Sequence, residues 1–413
     1  MKLFTLVVLL SASFFSSSSF GHGSSGKSPA QNERTIVFPD TTQYLTLVTD
    51  LHTHSVFSDG HVWPKIRVGE ALKDGLDGLA ITEHLEYQPH RADILHPDRN
   101  RAIQQASEAA KDSDLLIIPG SEITRDMPAG HINAVFIQDA NELIQVSTPP
   151  KDNSDVAGFY AAAKEWPAQK AVEAAAKQGA FIFWNHPYWA RQTPDGIARI
   201  TDFHESNAKN NMLHGIEIAN GNTYSEEAFA IALEHNLALI GVSDVHELID
   251  WDYKPELGGH RPVTLVLASE RSLDGLKEAL FDQRTIVWFK NLLIGRTQHL
   301  SPLLQASISV SDLEYQEGTS IAKITISNHS DARFKMNNQS NLTFMEAGDL
   351  IELAPHSETI LSVKLTERVN KITLPFEVMN TLVSPKEHAT ISLEASVKVE
   401  NRLKQWFKEL TDS

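Results

Sequence analysis

Residues 45–54 read Leu-Thr-Leu-Val-Thr-Asp-Leu-His-Thr-His, an apolar run that ends in the pair His52 and His54. Such a run predicts a buried strand, in which side chains two positions apart point to the same face. Two imidazoles that project together from the end of a strand can bind one metal ion. A His-x-His pair alone is weak evidence, but it predicts that a strand delivers metal ligands to one edge of a sheet.

Further potential ligands follow later apolar runs in the same way. They stand in the contexts Ser-Asp-Gly, Thr-Glu-His, Gly-Ser-Glu, Gly-His, Asn-His-Pro and Asp-x-His, and they are Asp59, His84, Glu122, His131, His186, Asp244 and His246. Taken singly, each residue has an ordinary structural explanation, such as a strand cap, an ion pair or a core histidine. Taken together, histidines at so many strand ends would be costly to bury without shared partners. We interpret the whole set as the ligands of a metal cluster.

The order of elements between residues 45 and 298 predicts the fold around this cluster. Apolar runs such as 78–82 and 263–268 alternate with helical segments such as 168–178 and 225–235. This alternation favours a parallel sheet covered by helices, and about seven such units favour an α/β barrel over an open sheet. Chemistry in such barrels takes place at the carboxyl ends of the strands, where the potential ligands fall.

Residues 299–400 follow a different pattern. Short runs with alternating apolar residues are separated by turn residues, for example at 328–330 and 337–341. About seven such runs predict an all-β, Ig-like sandwich. Residues 401–413 are predicted to form a closing amphipathic helix. The sandwich sequence carries no comparable group of metal ligands, so we expect the chemistry in the barrel.

The N-terminal residues predict export. Lys2 precedes an apolar segment (3–15) and a stretch of small residues (16–21), which together are typical of a secretory signal peptide over residues 1–21. The apolar segment is too short and too rich in serine for stable membrane insertion. Residues 22–44 are expected to be a flexible linker. We expect an exported protein, most simply one of the bacterial periplasm.

Composition limits the partners and the metals. The formal net charge of −17 disfavours binding to nucleic acid or to anionic membranes. The chain has no cysteine, so metal ligands must come from imidazole and oxygen. A set rich in imidazole favours zinc, manganese or iron over magnesium or calcium. The expected partner is a small-molecule substrate, and composition predicts nothing about the oligomeric state.

This ordered set of residues resembles the PHP (polymerase and histidinol phosphatase) superfamily of metallohydrolases. The similarity covers residues 45–296, and segments 51–63, 84–99, 184–189 and 258–266 are most similar to the exported Sb-PDE-type phosphodiesterase branch. Carbaryl-hydrolase-like members are more distantly similar. The resemblance implies a distorted seven-stranded (β/α) PHP barrel that hydrolyses phosphoesters with two or three divalent metal ions.

The resemblance also implies how the ligands divide between the ions. The implied sets are His52, His54, Glu122 and Asp244 for one ion, Glu122, His131 and His186 for a second, and Asp59, His84 and His246 for a third. His131 follows Glu122 more closely in sequence than in many members of the family. If His131 instead packs in the core, the second set is weakened.

Other residues are candidates for catalysis and for substrate contact. We expect a hydroxide that bridges two metal ions to attack phosphorus, and Glu83 or His90 could protonate the leaving group. Arg125 and Arg261 are candidates for phosphate contact, because a guanidinium matches phosphate oxygens; the alternative is a structural ion pair. Tyr188 is expected to line an apolar substrate pocket, or else to be a core residue.

Three functions remain open at this point. The leading one is a metal-dependent phosphodiesterase that acts on small organic phosphate esters. The same metal site could instead hydrolyse a carbamate or a carboxylic ester, because an activated hydroxide also attacks carbonyl carbon. The third is a non-catalytic protein that binds a partner through the sandwich. The complete ligand set argues against this last function, because an inactive site would be free to lose its ligands.

Overall fold

The computed structural model describes residues 34–94 and 97–397. The predicted signal peptide and the predicted closing helix 401–413 lie outside the described residues. The α-helices within them are α1 Pro64–Asp74, α2 Arg101–Ala110, α3 Val156–Lys164, α4 Ala168–Lys177, α5 Asp202–Lys209, α6 Glu226–Glu234, α7 Ile249–Tyr253, α8 Leu273–Phe281 and α9 Thr297–Ser307. None of these helices has the length and apolar character needed to cross a membrane.

The strands fall into a barrel group and a sandwich group. The barrel strands are β1 Leu45–Asp50, β2 Gly78–Ile81, β3 Leu116–Thr124, β4 His131–Val135, β5 Phe181–Trp184, β6 Gly215–Asn220, β7 Thr223–Tyr224, β8 Ala238–Val242, β9 Val263–Ala268, β10 Thr285–Phe289 and β11 Leu292–Gly295. The later strands are β12 Ile308–Val310, β13 Glu314–Tyr315, β14 Ile321–Asn328, β15 Phe334–Asn338, β16 Leu350–Leu353, β17 Glu358–Lys364, β18 Lys371–Val378, β19 Thr381–Leu382 and β20 Ala389–Ser396.

The barrel strands form one curled sheet. Its order is β19-β11-β10-β9-β1-β2-β3-β4-β5-β6-β7, and β8 also pairs with β6. The segments that follow β1 and β8 meet again, because Thr53 and Val245 form a parallel bridge and the Asp244 amide donates to the His52 carbonyl at 3.0 Å. The curl therefore brings the carboxyl ends of these strands to one rim. The predicted distorted PHP barrel is confirmed.

The sheet is mixed, which corrects the expectation of a parallel sheet. Strands β1, β2 and β3 are parallel neighbours, as are β5, β6 and β8, but β4 is antiparallel to both β3 and β5. The loop between β3 and β4 covers only residues 125–130. A parallel crossover needs about a dozen or more residues, so a connection this short returns the chain antiparallel.

The predicted Ig-like sandwich is confirmed. One of its sheets joins β12, β13, β14 and β17, and the other has the order β16-β15-β18-β20. Alternate residues of β14 and β20 are buried, as expected where one face of each sheet packs inward. Phe334 and Phe376 lie fully buried in the same hydrophobic core. Residues 337–341 were expected to be a turn, but residues 337 and 338 belong to β15, which ends at Asn338.

The sandwich is joined to the barrel by more than the chain connection. Leu293 and Ile294 of β11 pair in parallel with Thr381 and Leu382 of β19, which follows sandwich strand β18. Helix α9 spans the predicted boundary near residue 298 and buries Leu300, among others. The sequence pattern changes near residue 298, but the two parts of the chain pack against each other across this boundary.

The described part of the predicted linker, residues 34–44, is packed against the barrel, which corrects the expectation of a flexible segment. Ile36 and Phe38 are buried, and the Ile36 amide donates to the Asp74 carbonyl at 2.8 Å. Arg34 pairs with Asp74 and Asp250. Apolar side chains in a polar stretch signal this packing, since an unpacked linker gains nothing from them.

Candidate metal centre

The strands and the loops that follow them bring the predicted ligands to the rim. Ligands that follow a strand are His52 and His54 after β1, with Asp59 later in the same loop, His84 after β2, His186 after β5, and Asp244 and His246 after β8, while Glu122 lies within β3 and His131 begins β4. Because β4 runs antiparallel to β3, its amino end lies at the rim where the other strands end. His131 thus faces the cluster rather than the core, with Nδ1 2.9 Å from Glu122 Oε1.

Helix α1 locks the ligand loops to each other. Its residue Arg67 is fully buried and donates to the His54 carbonyl at 2.8 Å and to the His246 carbonyl at 2.7 Å. Pro64 at its first turn and Gly75 at its C-cap, with a φ of 69°, set the ends of this helix. One guanidinium thereby holds the loop after β1 and the loop after β8 in register.

Two ligands have a strained backbone. His186 has a φ of 27° and Asp244 a φ of 50°, in the left-handed region that non-glycine residues seldom adopt. The His186 amide donates to Glu217 Oε2 at 2.7 Å. Strain of this kind costs about 1–3 kcal/mol per residue and persists where the surroundings impose it, commonly at functional sites.

Glu122 lies at the centre of the cluster. It is fully buried, and its oxygens lie 3.7, 3.6 and 3.6 Å from the Nε2 atoms of His52, His54 and His186. His131 and His84 are closer still and approach opposite oxygens of the carboxylate. One carboxylate therefore faces imidazoles from almost every ligand-bearing strand.

The potential ligand atoms form three compact groups, and Glu122 belongs to one of them. They are His52 with His54 and Asp244, His84 with Glu122 and His131, and His54 with Asp59, His84 and His246. The grouping differs from the implied division, because His54 and His84 each belong to two groups and Glu122 belongs to one instead of two. His186 lies outside the compact groups, although its Nε2 approaches both Glu122 and Asp244, the latter at 3.9 Å.

Distances within the groups are short enough for a common ion. In one group the Nε2 atoms of His52 and His54 lie 3.2 and 3.1 Å from Asp244 Oδ1 and 2.9 Å from each other. In another, Asp59 lies 3.3 Å from His84 Nε2 and 3.1 Å from His246 Nε2. Two imidazole nitrogens that approach each other and one carboxylate oxygen are typical ligands of a single cation.

The carboxylates of the cluster have incomplete hydrogen bonding. One oxygen each of Asp59, Glu122 and Asp244 is buried, and imidazoles of the cluster are its neighbours, with no well-aligned hydrogen bond within the described part of the chain. Buried anionic oxygens of this kind are costly, and a bound cation would satisfy them. The residues present therefore fit divalent metal ions in their number, chemistry and orientation.

The ionisation of the cluster also favours a bound metal ion. Burial alone would raise the pKa of Glu122 and Asp244, but the surrounding imidazoles hold both pKa values well below their usual range. Burial, together with neighbouring His246 and His84, lowers the pKa of His54 to about 3. The pKa of His246, lowered by burial but raised more by Asp59 and Asp244, is about 9. Anionic carboxylates here are balanced by protons, which a metal ion would displace.

A second layer of polar residues orients the ligands. Glu217 Oε1 lies 2.7 Å from His52 Nδ1, and Thr124 Oγ1 lies 2.7 Å from His84 Nδ1. Asn185 donates to Glu122 at 2.9 Å and Asn220 donates to Asp244 at 3.1 Å. Sequence reasoning missed these residues. Glu217 was detectable, because a carboxylate inside the apolar run 215–219 needs a buried partner.

The cluster forms the floor of a cavity of about 800 Å³. Its walls include Tyr87, Tyr160, Tyr188, Trp189 and Arg191. Tyr188 lines this cavity and also packs in the hydrophobic core of the barrel, so its position fits both of the alternatives that the sequence left open. Burial, with Glu217 and Asp244 nearby, raises the pKa of Tyr188 well above its usual value, so the phenol keeps its proton.

The predicted proton donors lie elsewhere. Glu83 accepts hydrogen bonds from the Ser55 amide at 3.1 Å and from the Ser55 and Ser58 hydroxyls, so its carboxylate supports the loop that carries Asp59. The His90 ring lies 6.2 Å from His61 and outside the walls of this cavity. Neither residue is placed beside a substrate bound at the cluster, so the structure does not support their predicted roles.

The predicted phosphate contacts are structural arginines instead. Arg261 is 1% exposed and pairs with Asp50 and Asp74 at 3.1 and 2.7 Å. Arg125 is buried, pairs with Glu86 and donates to the Trp166 carbonyl at 2.8 Å. Neither lines the cavity over the cluster. Both expectations are corrected, because each guanidinium is already neutralised by a buried carboxylate.

Comparison with solved structures places the chain in a family. A two-domain protein from Bacteroides vulgatus ATCC 8482, described as containing a predicted PHP-like metal-dependent phosphoesterase, aligns with a TM-score of 0.77. It is 37% identical, and the alignment covers 88% of this chain and 99% of that one. This chain belongs to the PHP-like metal-dependent phosphoesterases. The aligned protein, like this chain, has two domains.

Other comparisons concern parts of this PHP-like protein. The model of an Ig-like domain family matches residues 308–394, which form the sandwich. A provisionally assigned metal-dependent phosphoesterase from Bifidobacterium adolescentis ATCC 15703 is 20% identical with a TM-score of 0.35, over 48% of this chain and 88% of that one. An amidohydrolase from Chromobacterium violaceum is 16% identical with a TM-score of 0.34, over 48% and 87%. A comparison with curated proteins gives no match.

Proposed function

We propose that this protein is a metal-dependent phosphodiesterase that hydrolyses small organic phosphate esters. The observation that carries the proposal is the position of Glu122, a buried carboxylate surrounded by imidazoles from five ligand positions. A carboxylate in this position can be shared by two divalent cations. The membership of this chain in the PHP-like family supports phosphoester chemistry at such a site.

Two or three ions of zinc, manganese or iron are the proposed cofactors. The ligand set is rich in imidazole, which these metals prefer over magnesium or calcium. The three compact groups of ligand atoms support up to three ions. When bound, divalent ions would lower the pKa of water and polarise a phosphoryl oxygen.

The residues of the chain hold and orient this chemistry. Glu217 fixes the ring orientation of His52, which leaves the opposite ring nitrogen directed at the cluster. His84 Nδ1 lies beside both Thr124 and Glu122, and its Nε2 faces Asp59. Asn220 and Asn185 fix the carboxylates of Asp244 and Glu122. The Tyr188 hydroxyl donates to the Thr223 carbonyl at 3.3 Å, which holds this ring in the cavity wall.

The cavity supports a small diester as the substrate. A volume of about 800 Å³ is within the range of small-molecule sites. Aromatic walls flank the cluster on two sides: Tyr87 contacts His84, and Trp189 contacts His131 and His186. A phosphodiester has two ester groups, and each wall can accept one of them.

The first experiment compares hydrolysis of three substrates by manganese- or zinc-loaded protein. They are bis(p-nitrophenyl) phosphate, p-nitrophenyl phosphate and a naphthyl carbamate. We expect preference for the diester. Preference for the monoester would keep the phosphoesterase class and remove the diester assignment, whereas preference for the carbamate would move the function to carbonyl hydrolysis.

A metallated but inactive protein would contradict the enzymatic proposal. Glycan-array binding by such a protein would instead favour the binding function of the sandwich. If the protein is active, the H52A variant tests the metal site, because loss of a ligand should remove both bound metal and turnover.

We also propose that the protein is exported to the periplasm after removal of residues 1–21. The composition of this segment supports the proposal. The mass of the protein recovered from a periplasmic extract tests it. A full-length mass in the cytoplasmic fraction would contradict it.

A further inference from the structure

The rim of the cavity carries a cation with no charged partner. Arg191 is exposed and lines the cavity, and it forms no ion pair or hydrogen bond with any residue that the structure describes. Other cations nearby are neutralised: Arg125 pairs with Glu86, and Lys164 with Asp126. Arg191 is also the only arginine or lysine among the described residues that line this cavity. A free guanidinium at the mouth of an acidic cavity is available to a ligand.

Arg191 lies beside an aromatic ring that reaches the metal centre. Its guanidinium carbon is 5.5 Å from the centre of the Trp189 ring. The Trp189 ring in turn contacts the rings of His131 and His186, at 5.4 and 5.3 Å between centres. Trp189 is 37% exposed. From the metal centre outward, the ligand imidazoles therefore come first, the indole of Trp189 second and the guanidinium of Arg191 third.

The loop that carries both residues is held in place by its own backbone. The Trp189 amide donates to the His186 carbonyl at 2.9 Å, and the Gln192 and Thr193 amides donate to the Trp189 carbonyl at 2.9 and 2.8 Å. The Thr193 hydroxyl donates to the Pro187 carbonyl at 3.0 Å. This bonding fixes Trp189 relative to His186, so the spacing between the metal centre and the indole is set before a ligand arrives.

We propose that Trp189 and Arg191 form a specificity subsite for an aromatic ester group that carries a second anionic substituent. A phosphoester held at the cluster would lay its ring on the indole, and the substituent would reach the guanidinium. The inference rests on the proposed function and narrows its substrate class to aryl phosphoesters with an added carboxylate or phosphate. Planar guanidinium groups pair well with both anions.

Binding of arylphosphonates to the metal-loaded protein tests the subsite without turnover, because their carbon–phosphorus bond is not an ester bond. The probes are 4-carboxyphenylphosphonate, phenylphosphonate and methylphosphonate, measured by calorimetry. We expect the carboxylated ring to bind about tenfold more tightly than the plain ring. R191Q should abolish this ratio, and R191K should keep only part of it. W189L should abolish the preference for phenyl over methyl.

R199Q is the matched control, because Arg199 is an exposed arginine paired with Asp195 and lies outside the cavity. It should keep the wild-type ratio. Equal ratios in wild type and R191Q, or no binding of any probe by wild type, would overturn the subsite. Wild-type turnover of bis(p-nitrophenyl) phosphate separates the two proposals. An Arg191-dependent ratio without turnover would keep the subsite and reject the proposed function.

Discussion

Two buried ionic clusters lie in the same barrel, and their chemistry differs. In the first, Arg261 donates to Asp50 and Asp74, so each buried carboxylate has a cation from the chain itself. In the second, at the rim, Asp59, Glu122 and Asp244 face imidazoles, which can release their protons when a metal ion binds. Loss of the guanidinium would leave unpaired buried anions in the first cluster, whereas the second cluster can exchange its protons for an external cation. Burial and charge alone do not distinguish the two.

The largest expected effect comes from removing the central anion of the rim cluster. E122Q keeps the shape of the side chain but cannot be shared by two cations. We expect turnover of bis(p-nitrophenyl) phosphate to fall at least about 10³-fold, with loss of bound metal, because activation of water depends on the ions. Kinetics and metal analysis by mass spectrometry measure both. The control is E205Q, which changes an exposed carboxylate paired with Lys209. Full metal content and turnover in E122Q would refute the shared-ligand assignment.

The complementary change breaks the cluster around Arg261. R261M leaves Asp50 without a guanidinium and Asp74 with Arg34 alone, and we expect the free energy of unfolding to fall by about 3–5 kcal/mol. Urea denaturation measures this loss. R199Q, which breaks an exposed pair with Asp195, should cost less than about 1 kcal/mol. A cost for R261M as small as that for R199Q would show that the buried cluster does not stabilise the fold.

A smaller effect is expected at Glu217, which contacts the ligands but is not itself a predicted ligand. Glu217 accepts from His52, from the His186 amide and from Asn220. E217Q should lower metal affinity by about 10–100-fold, because the imidazole of His52 loses its orienting anion. Competition with a metal chelator measures the affinity. An unchanged affinity would mean that the packing of the rim, rather than this contact, orients His52.

The smallest effect concerns a histidine that is buried outside the cluster. His204 stacks on Trp184 at 3.7 Å and lies 2.8 Å from the Ala129 carbonyl, and burial lowers its pKa to about 4. The unfolded chain binds a proton at this residue near pH 6.5, so stability is present above that pH and is lost as the pH falls toward 4. Linkage gives about 2 kcal/mol between pH 7 and pH 5.

Urea denaturation at these two pH values measures the contribution of His204. H204Q stays neutral, and its stability should therefore fall less between pH 7 and pH 5 than that of wild type. If wild type and H204Q lose the same stability, His204 is not held neutral in the folded protein.

The sequence predicted the barrel strands well because their signals are local. Buried runs and the caps of helices depend on neighbouring residues, and the predicted strand at 263–268 has the bounds found for β9. The end of β15 was predicted to be a turn, because Asn337 and Asn338 are residues that favour turns. The direction of β4 was also not predicted, because the residues of a strand do not specify which strands it pairs with.

The predicted arginine contacts failed for a related reason. Arg261 pairs with Asp50, which lies 211 residues earlier in the chain, and Arg125 pairs with Glu86 on a neighbouring strand connection. No local pattern shows that a cation already has a partner. Arg191, in contrast, has no signal in the sequence apart from its position near His186, and only its lack of a partner in the fold distinguishes it.

The sequence by itself determined which side chains could bind metal, because residue type and position at a strand end are local properties. It also determined the division into an α/β region and a β region, through the periods of their apolar residues. The tertiary structure alone decided that Glu122 is central, that His131 faces the rim and that Arg261 is neutralised. These features depend on distances between residues far apart in the chain, and only the folded sheet sets those distances.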